Sequence, residues 1–230
     1  MSDTDPATVV LVHGAWHGSW CWEKVVPRLE AEGVQVVAID LPLTSYEDDV
    51  RATIDTLDGI DGRVVLCGHS YGGAVITSAG HHPAADHLVY LTAFACDEGE
   101  SPSATAVDTP TPPTDLPDAL AFSDDGRIVS LKPEAAVKGL YHDCDAADVD
   151  AALARLRPMS LSCLTTPLGP PAWRNKPSTY VVCTEDQGVH PELQRLMAKR
   201  CSNSVEWSTA HSPFLNRPDL VAALLADLAR

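Results

Sequence analysis

Val64-Val65-Leu66-Cys67-Gly68-His69-Ser70-Tyr71-Gly72-Gly73-Ala74-Val75-Ile76 is the stretch on which the fold turns. An apolar, β-branched run leads straight into Gly-x-Ser-x-Gly, and a helix-compatible run leads straight out of it. Strand, sharp turn and helix in that order make a nucleophile elbow, in which a serine hydroxyl is lifted above the end of a sheet. Only small neighbours let the backbone pass that tightly, which accounts for the glycines two residues before and two after Ser70. A glycine-rich turn with a bystander serine would not need both flanks, so Ser70 is the candidate nucleophile.

Outward from the elbow, apolar runs recur at Thr8 to Val12, Gln35 to Ile39, Leu88 to Leu91, Thr179 to Cys183 and, more weakly, Ser204 to Trp207. Most are continuous rather than alternating, as in strands buried on both faces. Helix-like segments separate them: Glu23 to Glu32, Glu47 to Leu57, Tyr71 to Ala79, Pro191 to Arg200 and Leu220 to Ala229. This alternation predicts a mostly parallel α/β sheet with helices on both faces. It breaks after Cys96. From there to Arg174 the chain carries Thr109-Pro110-Thr111-Pro112-Pro113 and then two short helical patterns, Pro133 to Tyr141 and Ala146 to Leu156. The expected organisation is therefore a core of residues 1–96 and 175–230 with a small helical cap inserted at 97–174.

The 230 residues carry a net charge of −16, spread along the chain, which opposes binding to nucleic acid or to an anionic membrane. Met1 to Thr8 has no signal-peptide pattern and no run of 18 apolar residues occurs, so a soluble, cytoplasmic protein is expected. The seven cysteines include no Cys-x-x-Cys pair and suit reduced thiols better than a disulfide framework. His142-Asp143-Cys144-Asp145 holds metal-binding residue types but lacks a second pair at ligand spacing, so no metal is expected. The expected partner is a small molecule, with a homodimer left open.

A serine needs a base at neutral pH, and the base needs an acid to fix its tautomer. Both should follow later strands. His211 lies in a loop between the last strand and the last helix, while Glu185 and Asp186 directly follow Tyr180-Val181-Val182-Cys183, giving the order serine, acid, histidine. Periodicity alone does not choose between the two acids. His13-Gly14-Ala15 follows the first strand, where this architecture places one oxyanion amide; the other belongs to the residue after the nucleophile. The expected donors are Ala15 and Tyr71.

With these motifs in view, Val10-Leu11-Val12-His13-Gly14-Ala15-Trp16-His17-Gly18-Ser19-Trp20, the elbow at Gly68 to Gly73, and Tyr180 to Asp186 leading to Pro191-Glu192-Leu193-Gln194-Arg195 resemble the α/β-hydrolase superfamily. The likeness is narrowest to the plant methylesterase and hydroxynitrile lyase family with its bacterial relatives. That resemblance implies a Ser70, Asp186 and His211 triad, Ala15 and Tyr71 amides at the oxyanion, the insertion as cap, and no cofactor. The lyase branch carries threonine in place of Gly14 and lysine in place of Ser212, so this sequence resembles the esterase branch. Gly14, Trp16 and His17, with Tyr141, Met159 and Trp173 of the cap, are the expected substrate-binding residues. The implied activity is hydrolysis of small methyl, aryl or alkyl carboxylic esters through an acyl-enzyme. Carbon–carbon lyase chemistry and a catalytically weak binding protein of the same fold are the alternatives.

Overall fold

The strands β1 (Thr8–Val12), β2 (Val36–Ile39), β3 (Val64–His69), β4 (Ala85–Leu91), β5 (Leu120–Phe122), β6 (Ile128–Leu131), β7 (Met159–Ser160), β8 (Ser178–Cys183) and β9 (Asn203–Trp207) form two sheets. The computed structural model describes residues 6–108, 110–112, 114, 116 and 119–230, apart from the side chain of residue 107. Thr109 and Pro113 of the proline-rich stretch and the first five residues lie outside it.

The main sheet runs β2-β1-β3-β4-β8-β9, and every pairing is parallel. β1, β3 and β8 are buried at every position, which is why their sequences read as unbroken apolar runs. β9 is the exposed edge, and its sequence signal is correspondingly weak. Helix Val26–Ala31 packs on Pro218–Ala229, and Tyr46–Asp58 packs on Tyr71–Ala79. Local chemistry sets several helix starts. Ser45 caps Tyr46–Asp58 by accepting the Asp48 N–H at 3.0 Å, and proline opens Pro191–Ala198 and Pro218–Ala229, where no N–H is needed.

Register then determines where the polar residues gather. Val12 pairs with Gly68, His69 with Leu91, Leu91 with Val181, and Cys183 with Trp207. The loops that follow these strands, starting at His13, Ser70, Thr92, Thr184 and Ser208, therefore emerge at one edge of the sheet. Carboxyl ends of parallel strands are where such folds build sites.

The insertion contains the two expected helices, as Pro133–Leu140 and Ala146–Leu153. It also contains what the sequence did not suggest: a three-stranded antiparallel sheet, β5-β6-β7, and the helices Pro102–Asp108 and Ser162–Thr165. The insertion is thus mixed rather than helical. It is tied to the core by Arg157, whose guanidinium donates to the carbonyls of His17 and Leu41 and whose N–H donates to Trp16 O at 2.8 Å.

Candidate active site

Ser70 stands between β3 and helix Tyr71–Ala79 with φ 51° and ψ −120°, a strained conformation for a residue with a side chain. The glycines explain how the chain tolerates it. A Cβ on Gly68 would lie 2.5 Å from Gly72 O, and one on Gly72 would lie 2.5 Å from Val12 O, so the turn closes only without side chains at both positions. Ser70 O accepts the N–H groups of Gly73 and Phe94, each at 3.0 Å, which locks the peptide after the serine.

His211 and Asp186 meet across 25 residues of chain, Nδ1 to Oδ2, at 2.7 Å. Both side chains are shut off from solvent. Asp186 is a fully occupied acceptor. Its Oδ1 takes the N–H groups of Gly188 and Val189 at 2.7 and 3.0 Å; its Oδ2 takes Gln194 Nε2 at 2.8 Å and the Thr92 hydroxyl as well as the imidazole. Glu185 points the other way and bonds the Ser208 hydroxyl at the surface. Because Asp186 accepts from Nδ1, His211 Nε2 is the nitrogen left to act as a base. No hydrogen bond joins it to Ser70 Oγ in this structure; in ligand-free enzymes that contact often tightens only around substrate.

His69, inside the elbow motif, holds the backbone beside this pair. Its Nε2 donates to His211 O at 2.8 Å, its ring lies 4.7 Å from the His211 ring, and its Nδ1 has no partner among the described residues. Burial drives its pKa well below the usual histidine range, so it is a neutral spacer. Burial does the same to His13, lowered to about 4, and His17, lowered to about 3. His13 Nδ1 donates to Gly14 O while its Nε2 accepts the Leu41 N–H, an arrangement that only the neutral ring can make.

Beside Ser70 opens a cavity of about 190 Å³. Ala15, Trp16 and Tyr71 line it from the core; Phe94, Pro102, Leu116, Leu120 and Leu164 are among the residues that enclose it. Among the described residues no charged side chain reaches it. Ser103 and Thr114 are the polar side chains besides Ser70 itself and Tyr71, whose hydroxyl is turned away to Asp49. Among the described residues, the Ala15 N–H and the Tyr71 N–H, the latter at the first turn of its helix, are not taken up by the turns and caps around them. A larger depression of about 490 Å³, bounded by Lys138, Gln187, His190, Glu192 and Arg195, shares Thr114 and Leu116 with the inner cavity but is not bordered by Ser70.

The walls differ from those expected from sequence. Trp16 is a wall residue, but Gly14 is not among the described residues that line the cavity; a Cβ there would touch His69 Nδ1 at 2.8 Å and Ser70 Cβ at 2.9 Å. His17 and Tyr141 bond each other at 2.7 Å in the interior instead of facing a ligand. Met159 is buried in β7 opposite Val129, and the Trp173 indole donates to Cys96 O at 2.9 Å with Arg174 stacked over it. These four side chains are consumed by packing and so leave the cavity to Phe94, Leu116, Leu120 and Leu164. Thr92 and Gln194, which complete the Asp186 shell, also escaped the sequence reading. Asp143 of the possible metal cluster accepts the Ala210 N–H at 2.7 Å and the Asn216 amide, a structural role.

The α/β hydrolase family model matches residues 9–224, and the chain belongs to that family. Methylesterase 1 of Arabidopsis thaliana is 28% identical over 250 residues, covering 96% of this chain and 95% of that protein. Salicylic acid-binding protein 2 of Nicotiana tabacum is 29% identical over 254 residues, covering 96% of each. Among solved structures, a pyrethroid hydrolase from Sphingobium faniae JZ-2 superposes with a TM-score of 0.84 at 28% identity over 97% of both chains.

Proposed function

We propose that this protein is a serine carboxylic-ester hydrolase in which Ser70, His211 and Asp186 form the triad. The observation that carries the reading is the buried Asp186–His211 bond at the same sheet edge as a strained Ser70 that opens onto a neutral cavity. His211 Nε2 takes the Ser70 proton as Oγ attacks the ester carbonyl. The Ala15 and Tyr71 N–H groups receive the oxyanion. Collapse expels the alcohol, which leaves with the proton from His211, and water activated by the same imidazole then releases the acid.

The cavity supports small, neutral, largely apolar esters, because a carboxylate or ammonium brought into it would be desolvated without a partner among the described residues. The names of the methylesterase and pyrethroid hydrolase relatives accord with ester cleavage. Lyase chemistry has less support: a threonine at Gly14 would collide with His69 and Ser70 as they stand, and Ser212 follows His211 where the lyase branch has lysine. The test is turnover of methyl and p-nitrophenyl esters by the wild type and by Ser70→Ala, with fluorophosphonate labelling at Ser70. Loss of both in the variant is the expected outcome; retained ester hydrolysis by Ser70→Ala defeats the assignment.

A further inference from the structure

Asp49 is a second buried carboxylate, separate from the triad. It sits in helix Tyr46–Asp58 with no solvent exposure, its Oδ2 accepts the Tyr71 hydroxyl at 2.6 Å, and its Oδ1 accepts the Leu43 N–H at 2.7 Å. Burial pushes its carboxyl upward while the Tyr71 hydroxyl pulls it back. An apolar residue would fill this place without the desolvation that a carboxylate suffers. Helix stability does not require it either, since Glu47 and Asp48 already place acids in the first turn.

What Asp49 grips is the residue after the nucleophile. The peptide between Ser70 and Tyr71 carries the Ser70 carbonyl on one side, fixed by Gly73 and Phe94, and the Tyr71 N–H on the other. The Tyr71 side chain anchors the far end of that peptide, and Asp49 is the acceptor that holds the side chain. On its other oxygen Asp49 holds Leu43, a residue at φ 60° whose carbonyl accepts the Ser160 N–H of the cap at 2.8 Å. A chain of contacts thus runs from β7 of the cap through Leu43 and Asp49 to Tyr71.

From this geometry we propose that Asp49 is a positioning residue, which through the Tyr71 hydroxyl aims the Tyr71 N–H at the oxyanion and makes that aim depend on how the cap is seated. The proposal rests on the hydrolase reading above, and it touches transition-state rather than ground-state binding. Its variants are Tyr71→Phe, Asp49→Asn and the two combined. Tyr46→Phe is the control: it also removes a buried tyrosine hydroxyl, one that bonds Ala74 O and Ser78 Oγ instead of Asp49.

On p-nitrophenyl acetate, Tyr71→Phe and Asp49→Asn should each lower kcat about tenfold with KM within about twofold, a fraction of what losing an oxyanion donor outright costs. Affinity for a trifluoromethyl ketone should fall in parallel with kcat, and the double variant should lose no more than the worse single one, because both remove one contact. Tyr46→Phe should lower the melting temperature and leave kcat unchanged. The proposal is overturned if Tyr71→Phe keeps kcat and ketone affinity within about twofold of wild type; that variant decides should Asp49→Asn fail to fold. Ser70→Ala, run alongside, separates the two readings: activity surviving there sinks the hydrolase assignment, whereas activity surviving only in the Tyr71 and Asp49 variants sinks the positioning role alone.

Discussion

The Tyr141 hydroxyl donates to His17 Nε2 at 2.7 Å, and this contact joins the insertion to the loop that follows β1. The direction is forced. His17 Nδ1 faces the Ala15 carbonyl at 2.7 Å and must carry the proton there, so a neutral ring has only Nε2 with which to accept. Protonating His17 would put a charge in a buried place and remove the lone pair to which Tyr141 donates, and burial accordingly lowers its pKa to about 3.

Stability should therefore fall on mild acidification. His13 and His17 titrate near 6.5 in the unfolded chain but at about 4 and about 3 in the folded one. Between these values the unfolded state holds more protons, so the contribution is complete above about pH 6.5 and is lost as pH drops toward 4. Each such histidine removes roughly 1.4 kcal/mol per pH unit inside that window, or roughly 4 kcal/mol for the pair by pH 5. Guanidinium unfolding at pH 7.5, 6.0 and 5.0 checks this. A midpoint that stays level across the series contradicts two neutral buried imidazoles.

Asp186→Asn should disable the base without dismantling the fold. Five donors converge on the carboxylate, and an amide offers only one acceptor oxygen. With the oxygen kept by Gly188 and Val189, the amide nitrogen faces Gln194, Thr92 and His211, and the imidazole must turn its lone pair toward it. His211 Nε2 then carries the proton and is no longer available to accept one from Ser70. The expected loss in kcat is about 10⁴-fold, as for the same replacement in other serine triads, with a melting temperature that falls but remains measurable. Retention of a tenth of wild-type kcat would argue against the triad.

The sheet was legible in the sequence because strands buried on both faces leave continuous apolar runs, and the elbow was legible because its backbone admits only glycine at Gly68 and Gly72. His211 and the acid loop followed from strand-end order. Glu185 and Asp186 could not be separated by periodicity; the Asp186 side is set by the shell that Thr92 and Gln194 provide from two other elements. The small cap sheet was illegible, since strands of two to four residues carry no period to read. Asp49 was hidden for another reason: as one of three acids opening a helix it looks like a dipole partner, and only packing against Tyr71 turns it inward.

Gly14→Thr should suppress ester turnover. The Cβ alone would lie 2.8 Å from His69 Nδ1 and 2.9 Å from Ser70 Cβ, so either the loop carrying the Ala15 N–H or the elbow must shift. A displacement of a few tenths of an ångström at an oxyanion donor costs about as much as weakening that donor, roughly 1–3 kcal/mol in transition-state stabilisation. The kinetic signature is a fall in kcat of ten- to a hundredfold with KM little changed, measured on p-nitrophenyl acetate. Full activity in this variant would mean that the loop after β1 does not supply a donor.

Acyl-chain preference should be set by Leu164. This residue comes from helix Ser162–Thr165 of the insertion and is one of the apolar side chains that line the Ser70 cavity. At about 190 Å³ the cavity is smaller than the 300–1,000 Å³ typical of drug-sized ligand sites, so short acyl groups should be preferred by the wild type. Leu164→Ala removes three carbons from the wall, and each added methylene that finds room there is worth about 0.8 kcal/mol. The ratio of kcat/KM for p-nitrophenyl hexanoate to that for the acetate should rise about tenfold in Leu164→Ala and fall in Leu164→Trp. An unchanged ratio in both would place the acyl group elsewhere, in the outer depression bounded by Lys138 and Arg195.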